Sequence, residues 1–359
     1  MFYYLFYSLS DISIIFNVFK YITFRMICGA ITSFFLIYFL MPPFIRFMRK
    51  KQFGQIVREE GPSHHKIKTG TPTMGGFIVI LGITVSVLLW CKLTNPFVWL
   101  ALFILLSFGF IGFLDDFLKI KRKKNLGLRA REKLLLQVLI VTVLYFLLFK
   151  TLNFSTELMF PFFKKAIINI GIFYLIFSML VIVGSSNAMN LTDGLDGLAI
   201  VPFMVVAGVY SILAYVVGNI KFANYLYLPF IPYAGELAIF CAILMGAGLG
   251  FLWYNCHPAE VFMGDVGSLG LGASLGAISI MTKQEFLLVI AGGIFVMEAL
   301  SVILQVGYFK LTHGKRLFKM APIHHHFELK GWPENKVVVR FWIISIICGL
   351  LALSTLKIR

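Results

Sequence analysis

Asn187, Asn190, Asp193 and Asp196 recur at every third position in a stretch that carries no lysine or arginine and lies between two long apolar runs. Two further acidic groups, Asp115-Asp116 and Asp265, also stand at the ends of apolar runs. Acids at the edge of a bilayer are costly and tend to mark function. Neighbouring helical residues point ~100° apart, so Asp115 and Asp116 can divide two tasks, one carboxylate on a metal or a donor and the other on a proton. Met263-Gly264-Asp265-Val266-Gly267-Ser268 sets an acid among glycines at a helix start, where backbone approaches a phosphate or metal closely and anions are favoured. The bland alternatives are an N-cap for Asp193, Asp196 or Asp265, and an acid pair satisfied by the basic run from Lys119 to Lys124. Capping explains one acid at a time, not four polar groups in register.

Other residues point to an anionic substrate. Lys68 and Thr73 lie in the Gly-, Thr- and His-containing segment that opens the second apolar run. Lys133 begins a predicted helix, where the macrodipole disfavours a cation. Asn255 lies in a second lysine-free connection that leads to Asp265, and Gln305 is within reach of the same membrane face. His324-His325-His326 can bind metal, donate to a phosphate or sugar, or be a solvated run. Glu298, near the middle of an apolar run, is a functional candidate or a paired packing residue. Carboxylates ringed by lysines suit Mg²⁺ and phosphate oxygens, because magnesium takes one or two carboxylates together with waters and substrate phosphates. That is the chemistry of phosphoryl transfer.

These groups need elements to hold them, and composition says what kind. Of 359 residues, 59% are hydrophobic and 13% charged, against about a quarter charged in a soluble domain. An all-α polytopic membrane protein follows, with about ten spanning helices of ~20 residues each: 22–41, 74–93, 97–116, 134–152, 167–187, 196–217, 235–255, 266–282, 285–309 and 339–356. Residues 1–19 repeat Phe, Leu and Ile at helical spacing and predict an interfacial helix. Residues 150–165 are polar enough for a short hairpin. The chain reads as one membrane domain, 1–359, with no linker to a second.

Lysine and arginine fix the orientation. The odd-numbered connections hold 22 of them, against 8 in the even-numbered connections and C-terminal tail. The positive-inside rule puts the 22 in the cytoplasm and both termini on the periplasmic side. Five of the six aspartates fall on that cytoplasmic face, which becomes the predicted active-site face. The net charge of +16 fits anionic lipid and anionic substrates. Nucleic acid is excluded as a partner, since no soluble basic domain is present. The five cysteines show no ligand spacing and read as small buried residues. A cation-coupled transporter would instead carry its polar groups near the midplane.

Gly70-Thr-Pro-Thr-Met-Gly-Gly76, Gly112-Phe-Leu-Asp-Asp116, the stretch Asn187 to Ala199, the segment Asn255 to Gly267, and Ala321-Pro-Ile-His-His-His-Phe-Glu328 together resemble the phospho-N-acetylmuramoyl-pentapeptide-transferase family. That family belongs to the polyprenyl-phosphate N-acetylhexosamine-1-phosphate transferases. The resemblance spans essentially the whole chain. It implies a Mg²⁺-dependent multi-pass enzyme of the bacterial cytoplasmic (inner) membrane. UDP-N-acetylmuramoyl-pentapeptide and undecaprenyl phosphate would give lipid I and UMP, the first membrane step of peptidoglycan synthesis. By the matching motifs Asp265 would be the Mg²⁺ ligand, with Asp116 a second candidate. Asp115 would deprotonate or orient the lipid phosphate. Asn187, Asn190, Asp193, Asp196 and Asn255 would hold the nucleotide and diphosphate region. Lys68, Lys119 and Lys133 would balance phosphate charge, and His324 to His326 would contact the sugar side. The histidine triplet argues against a sister enzyme using UDP-N-acetylglucosamine. The family also implies a homodimer, and direct attack by the lipid phosphate is favoured over an aspartyl intermediate.

Overall fold

The computed structural model describes residues 1–51, 70–122, 127–163 and 167–357. Its helices are α1 (Phe2–Tyr7), α2 (Ile22–Lys50), α3 (Gly76–Trp90), α4 (Pro96–Arg122), α5 (Ala130–Phe146), α6 (Phe173–Thr192), α7 (Ile200–Val217), α8 (Ile220–Tyr225), α9 (Ala234–Asn255), α10 (Gly264–Met281), α11 (Glu285–Ala291), α12 (Gly293–Leu311), α13 (Ile323–Glu328) and α14 (Glu334–Ser354). Strands β1 (Glu157–Met159) and β2 (Ile167–Asn169) pair antiparallel, with Leu158 opposite Ile168. The protein is thus an almost wholly helical polytopic bundle. Among the described residues, nine helices are long and apolar enough to cross a membrane.

Four expectations need correction. The second predicted span is only the 15-residue α3, about 22 Å of helix; a turn with Met74 at φ +65° precedes it, and Gly75 and Gly76 donate backbone N–H to Phe262 and Met263 carbonyls. The fifth span begins later than the hydropathy suggested, because 167–169 pair as β2 and Gly171 turns the chain at φ +51° before α6. The ninth is broken into α11 and α12 at Gly292-Gly293. There a side chain on Gly293 would come within 2.8 Å of Cys348 Sγ on α14, so the glycine lets the redirected chain close on its neighbour. Residues 1–20 form α1 and two 3-10 turns, not one helix. Tyr3 of that segment lies over the Arg25 guanidinium, 4.9 Å from the ring centroid.

Two nearly buried helices organise the bundle. α9 packs between α2 and α7, and α10 between α4 and α6. Neither has a polar stripe, as expected of a helix enclosed by others rather than by lipid or water. At one end of the bundle Arg25 of α2 makes a bidentate pair with Glu236 in the first turn of α9, at 2.8 and 2.7 Å. Glu236 also accepts the Lys92 backbone N–H at 2.8 Å, and Arg25 donates to the Trp90 carbonyl at 3.2 Å. Both residues are buried, so this one pair ties α2, α3 and α9 together. At the same end Lys283 donates to the carbonyls of Ser155 and Glu157 and sits over the Tyr174 ring, 4.1 Å from its centroid. A buried ammonium with carbonyl and aromatic partners holds the β-hairpin to the helices. The chemistry-bearing residues lie at the other end.

Candidate active site

The C-terminal turns of α4 and α6 and the N-terminal turns of α5 and α10 converge at that end. Asp115 and Asp116 lie about two turns before the end of α4, Lys133 is in the first turn of α5, Asn190 is in the last turns of α6, and Asp265 is in the first turn of α10. One carboxylate oxygen from each of Asp115, Asp116 and Asp265 falls within 4.8 Å of the others. Lys119, one turn beyond the aspartate pair, bridges all three at 2.6, 3.5 and 3.2 Å. Lys133 reaches Asp265 at 2.7 Å and Asp115 at 3.5 Å. Asp115 and Asp116 are buried.

Each carboxylate is also fixed by a neutral donor. Leu128 N–H donates to Asp115 Oδ1 at 2.8 Å, and Val266 N–H to Asp116 Oδ2 at 3.2 Å. Asn190 Nδ2 donates to Asp265 Oδ1 and to Ser268 Oγ, both at 2.8 Å. Asp265 is therefore inside the first turn of α10 rather than its N-cap, which is Met263. Likewise Ala199, without a side-chain cap, precedes α7, so neither Asp193 nor Asp196 caps it. Capping does not explain these acids.

Close helix approach makes the cluster possible. A Cβ on Gly112 of α4 would lie 2.1 Å from the Asp265 carbonyl oxygen. Gly264, at φ +75°, has Asp116 Oδ2 and Thr73 Oγ1 at 2.5 and 3.2 Å from the place its Cβ would take. Thr73 thereby joins the site through the Gly264 turn. Replacing Gly112 with alanine is expected to leave a folded protein whose two aspartate clusters no longer meet. Displacement on the scale of 1 Å costs about a hundredfold in rate. If the chain has the activity its motifs imply, UMP release by protein that still elutes as one species in detergent is the measurement, and an unchanged rate would refute the role given to this crossing.

The remaining predicted residues surround the cluster. Asn187 is one turn back from Asn190 and donates to Gln137 Oε1 at 3.0 Å. Asp193 follows α6. Burial, and then the negative fields of Asp265, Asp116 and Asp196, push its carboxyl up to about 7. Asp196 accepts the Ala259 N–H at 3.1 Å and contacts His257 Nδ1 at 3.1 Å, with Glu334 close by. Asn255 accepts the Gly197 N–H and donates to the Val261 carbonyl. Asp196 and Asn255 thus knot the two lysine-free connections together beside the carboxylate cluster.

His324 is fully buried against Gly194, its Nδ1 3.1 Å from Glu298 Oε2. Glu298, buried in α12, is therefore paired with one of the predicted site histidines. His325 contacts Glu328 at 2.7 Å, and His326 accepts the Lys319 N–H. The triplet is thus not a three-histidine metal centre: its side chains have separate partners. Gln305 spends its amide on residues 317 and 318, accepting from both backbone N–H groups and donating to the Phe318 carbonyl. Lys68 lies outside the described residues. Gln137, Ser268, His257 and Glu334 were not singled out from the sequence. The only available signal was that each is polar near a predicted helix end.

The titration of Asp193 has a testable sign. Its folded pKa of about 7 lies above the ordinary 3.8, so its contribution to stability is fully present below pH 3.8 and lost as pH rises through 7. Asp193→Asn never ionises. With EDTA present, its thermal midpoint should match the parent protein near pH 4 and exceed it by several degrees at pH 8. A difference that does not change with pH would contradict the placement of the carboxyl.

The donor set fits a hard dication. Three carboxylates meet at a point where two ammonium groups already answer the demand for positive charge, and the ligands are oxygen, as Mg²⁺ requires. Residues 98–283 match the family model described as Glycosyl transferase family 4. The chain is 56% identical to a protein of Desulfotalea psychrophila, 55% to one of Thermodesulfovibrio yellowstonii and 52% to one of Oleidesulfovibrio alaskensis, each alignment covering 100% of both chains. All three relatives carry the name phospho-N-acetylmuramoyl-pentapeptide-transferase. With motifs, acidic cluster and full-length likeness in accord, this chain belongs to the phospho-N-acetylmuramoyl-pentapeptide-transferase family.

Proposed function

We propose that the chain transfers phospho-N-acetylmuramoyl-pentapeptide from its UDP ester to undecaprenyl phosphate, giving lipid I and UMP, at the cytoplasmic face of a bacterial inner membrane. The observation that carries the reading is the convergence of Asp115, Asp116 and Asp265 on Lys119 and Lys133. The 22-to-8 distribution of basic residues supports the cytoplasmic placement of that end, with both termini opposite.

An oxygen of the lipid phosphate attacks the phosphorus bonded to the sugar. The bond from that phosphorus to the bridging oxygen breaks, and UMP leaves with the oxygen and its charge. Asp115, held by the Leu128 N–H, orients the attacking phosphate and takes its proton if it carries one. Lys119 and Lys133 offset the charge of the phosphates. Asp265 and Asp116 would hold Mg²⁺, which when bound stabilises negative charge on the leaving group. Asn190 keeps Asp265 aimed at that point. The 193–199 turn and the knot at Asn255 shape the nucleotide side, and the turn bearing His324 to His326 shapes the sugar side. The family resemblance extends this to a homodimer of single-domain chains.

The test is UMP release by purified protein given undecaprenyl phosphate, Mg²⁺ and either UDP-N-acetylmuramoyl-pentapeptide or UDP-N-acetylglucosamine. Release with the first donor alone, stopped by EDTA, is expected. Release with the second donor would move the chain to the sister activity. Substrate flux in proteoliposomes without UMP from either donor would favour a transporter.

A further inference from the structure

Glu298 of α12 takes no part in the reaction proposed above, yet it is an acid enclosed inside the bundle. Its side chain is wholly buried, and its Oε2 is 3.1 Å from Nδ1 of His324, which is equally buried. That contact commits Nδ1 and turns the other ring nitrogen, Nε2, toward the turn that follows α6. A Cβ on Gly194 would lie 2.4 Å from Nε2 and 2.9 Å from Cε1, so the imidazole rests against the bare backbone of that turn. Leu195 and Leu198 of the same turn belong to a small apolar cluster with Ile294 of α12 and Val337, Val338 and Phe341 of α14, apart from the main core. The pair is a poor choice for stability alone. Among the described residues neither Glu298 Oε1 nor His324 Nε2 has a hydrogen-bond partner, and a half-satisfied buried polar pair is worse than apolar side chains filling the same volume.

We infer that Glu298 is a positioning residue for the nucleotide side of the site. By holding the His324 ring it sets the place of the Gly194 turn, and with it the carboxylates of Asp193 and Asp196 on either side. The inference rests on the transferase reading for what that turn holds. It adds a residue inside a spanning helix that reaches the substrate only through two others. The bare Gly194 backbone is what lets the ring serve as a stop, since any side chain there would displace it.

The test measures the Kd of UDP-N-acetylmuramoyl-pentapeptide by calorimetry on the full-length protein in detergent, beside UMP release. Glu298→Met frees the ring and is expected to weaken that Kd and raise the KM for the UDP-sugar about tenfold, a change of 1.4 kcal/mol, with the KM for polyprenyl phosphate unchanged. Its thermal midpoint should fall, because His324 is left buried and unpaired. Adding His324→Leu should restore the midpoint but not the affinity, and should weaken binding no further, since the two residues act as one unit. Glu298→Asp keeps the charge but shortens the arm and should lose affinity, whereas Glu298→Gln keeps the reach and should retain most of it. Affinity that returns with the midpoint in the double variant would make the pair purely structural. That result, an unchanged Kd in Glu298→Asp, or no difference between the aspartate and glutamine variants would overturn the assignment. If the variants change the Kd as expected while the parent releases no UMP, the positioning role stands and the transferase reading falls.

Discussion

Asp265→Asn is expected to lower UMP release about a thousandfold while the protein folds and still binds its UDP-sugar. The substitution preserves shape, and one oxygen can still accept from Asn190. What changes is the group facing the lysines. In the parent protein Asp265 Oδ2 is 2.7 Å from Lys133 Nζ and 3.2 Å from Lys119 Nζ; in the variant either an amide N–H₂ or an uncharged oxygen takes that place. The cluster loses one of three negative charges, and with it the set of oxygens that suits a dication. Removing a single preorganised electrostatic contact costs about 10² to 10³ in rate, and in the proposed reaction one residue would serve both as a metal ligand and as the partner of two lysines. A second readout separates chemistry from folding. Mg²⁺ should raise the thermal midpoint of the parent protein, because a ligand stabilises the state it binds, and should leave that of Asp265→Asn unmoved. Activity within tenfold of the parent would remove Asp265 from the centre of the mechanism.

The second large effect is structural and lies at the opposite end of the molecule. Arg25→Met leaves Glu236 buried among α2, α3 and α9 with, among the described residues, only the Lys92 N–H as a partner. Breaking a buried ion pair from one side costs about 3 to 5 kcal/mol, whereas replacing both partners by apolar residues of similar volume is often neutral. The single variant should therefore lose most of its folded yield in detergent, and Arg25→Met combined with Glu236→Met should recover most of it. Equal stability of the single and double variants would mean that the pair is not what joins these helices.

Much of this architecture was legible in the chain because a bilayer imposes simple rules. Long apolar runs must be helices, since lipid offers backbone groups no partner, and the segments found as α2, α4, α7, α9, α10 and α14 stood close to where hydropathy put them. The acids that meet in the site were legible for the same reason, as costly groups at helix ends. What could not be read was pairing across distance. Asn190 and Asp265 are 75 residues apart, Glu298 and His324 are 26 apart, and no local periodicity records either contact. The break at Gly292-Gly293 was hidden because the apolar composition continues straight through it. The strand pair displaced the start of α6 because Ile167 and Ile168 are as apolar as any spanning residue, and only their partners across the hairpin distinguish them.

α10 is the least apolar of the nine candidate spans, with a mean hydropathy of 1.2, and 89% of its window is enclosed by other helices. Alone in lipid, its glycines and serines would gain little, so it is a poor candidate to partition into the bilayer unaided. Its two main partners, α4 and α6, precede it in the chain and are already made when it leaves the ribosome. The helix that carries Asp265 is thus admitted to the membrane by the helices that carry Asp115, Asp116 and Asn190. Insertion of α10 and assembly of the acidic cluster thus draw on the same packing against α4 and α6.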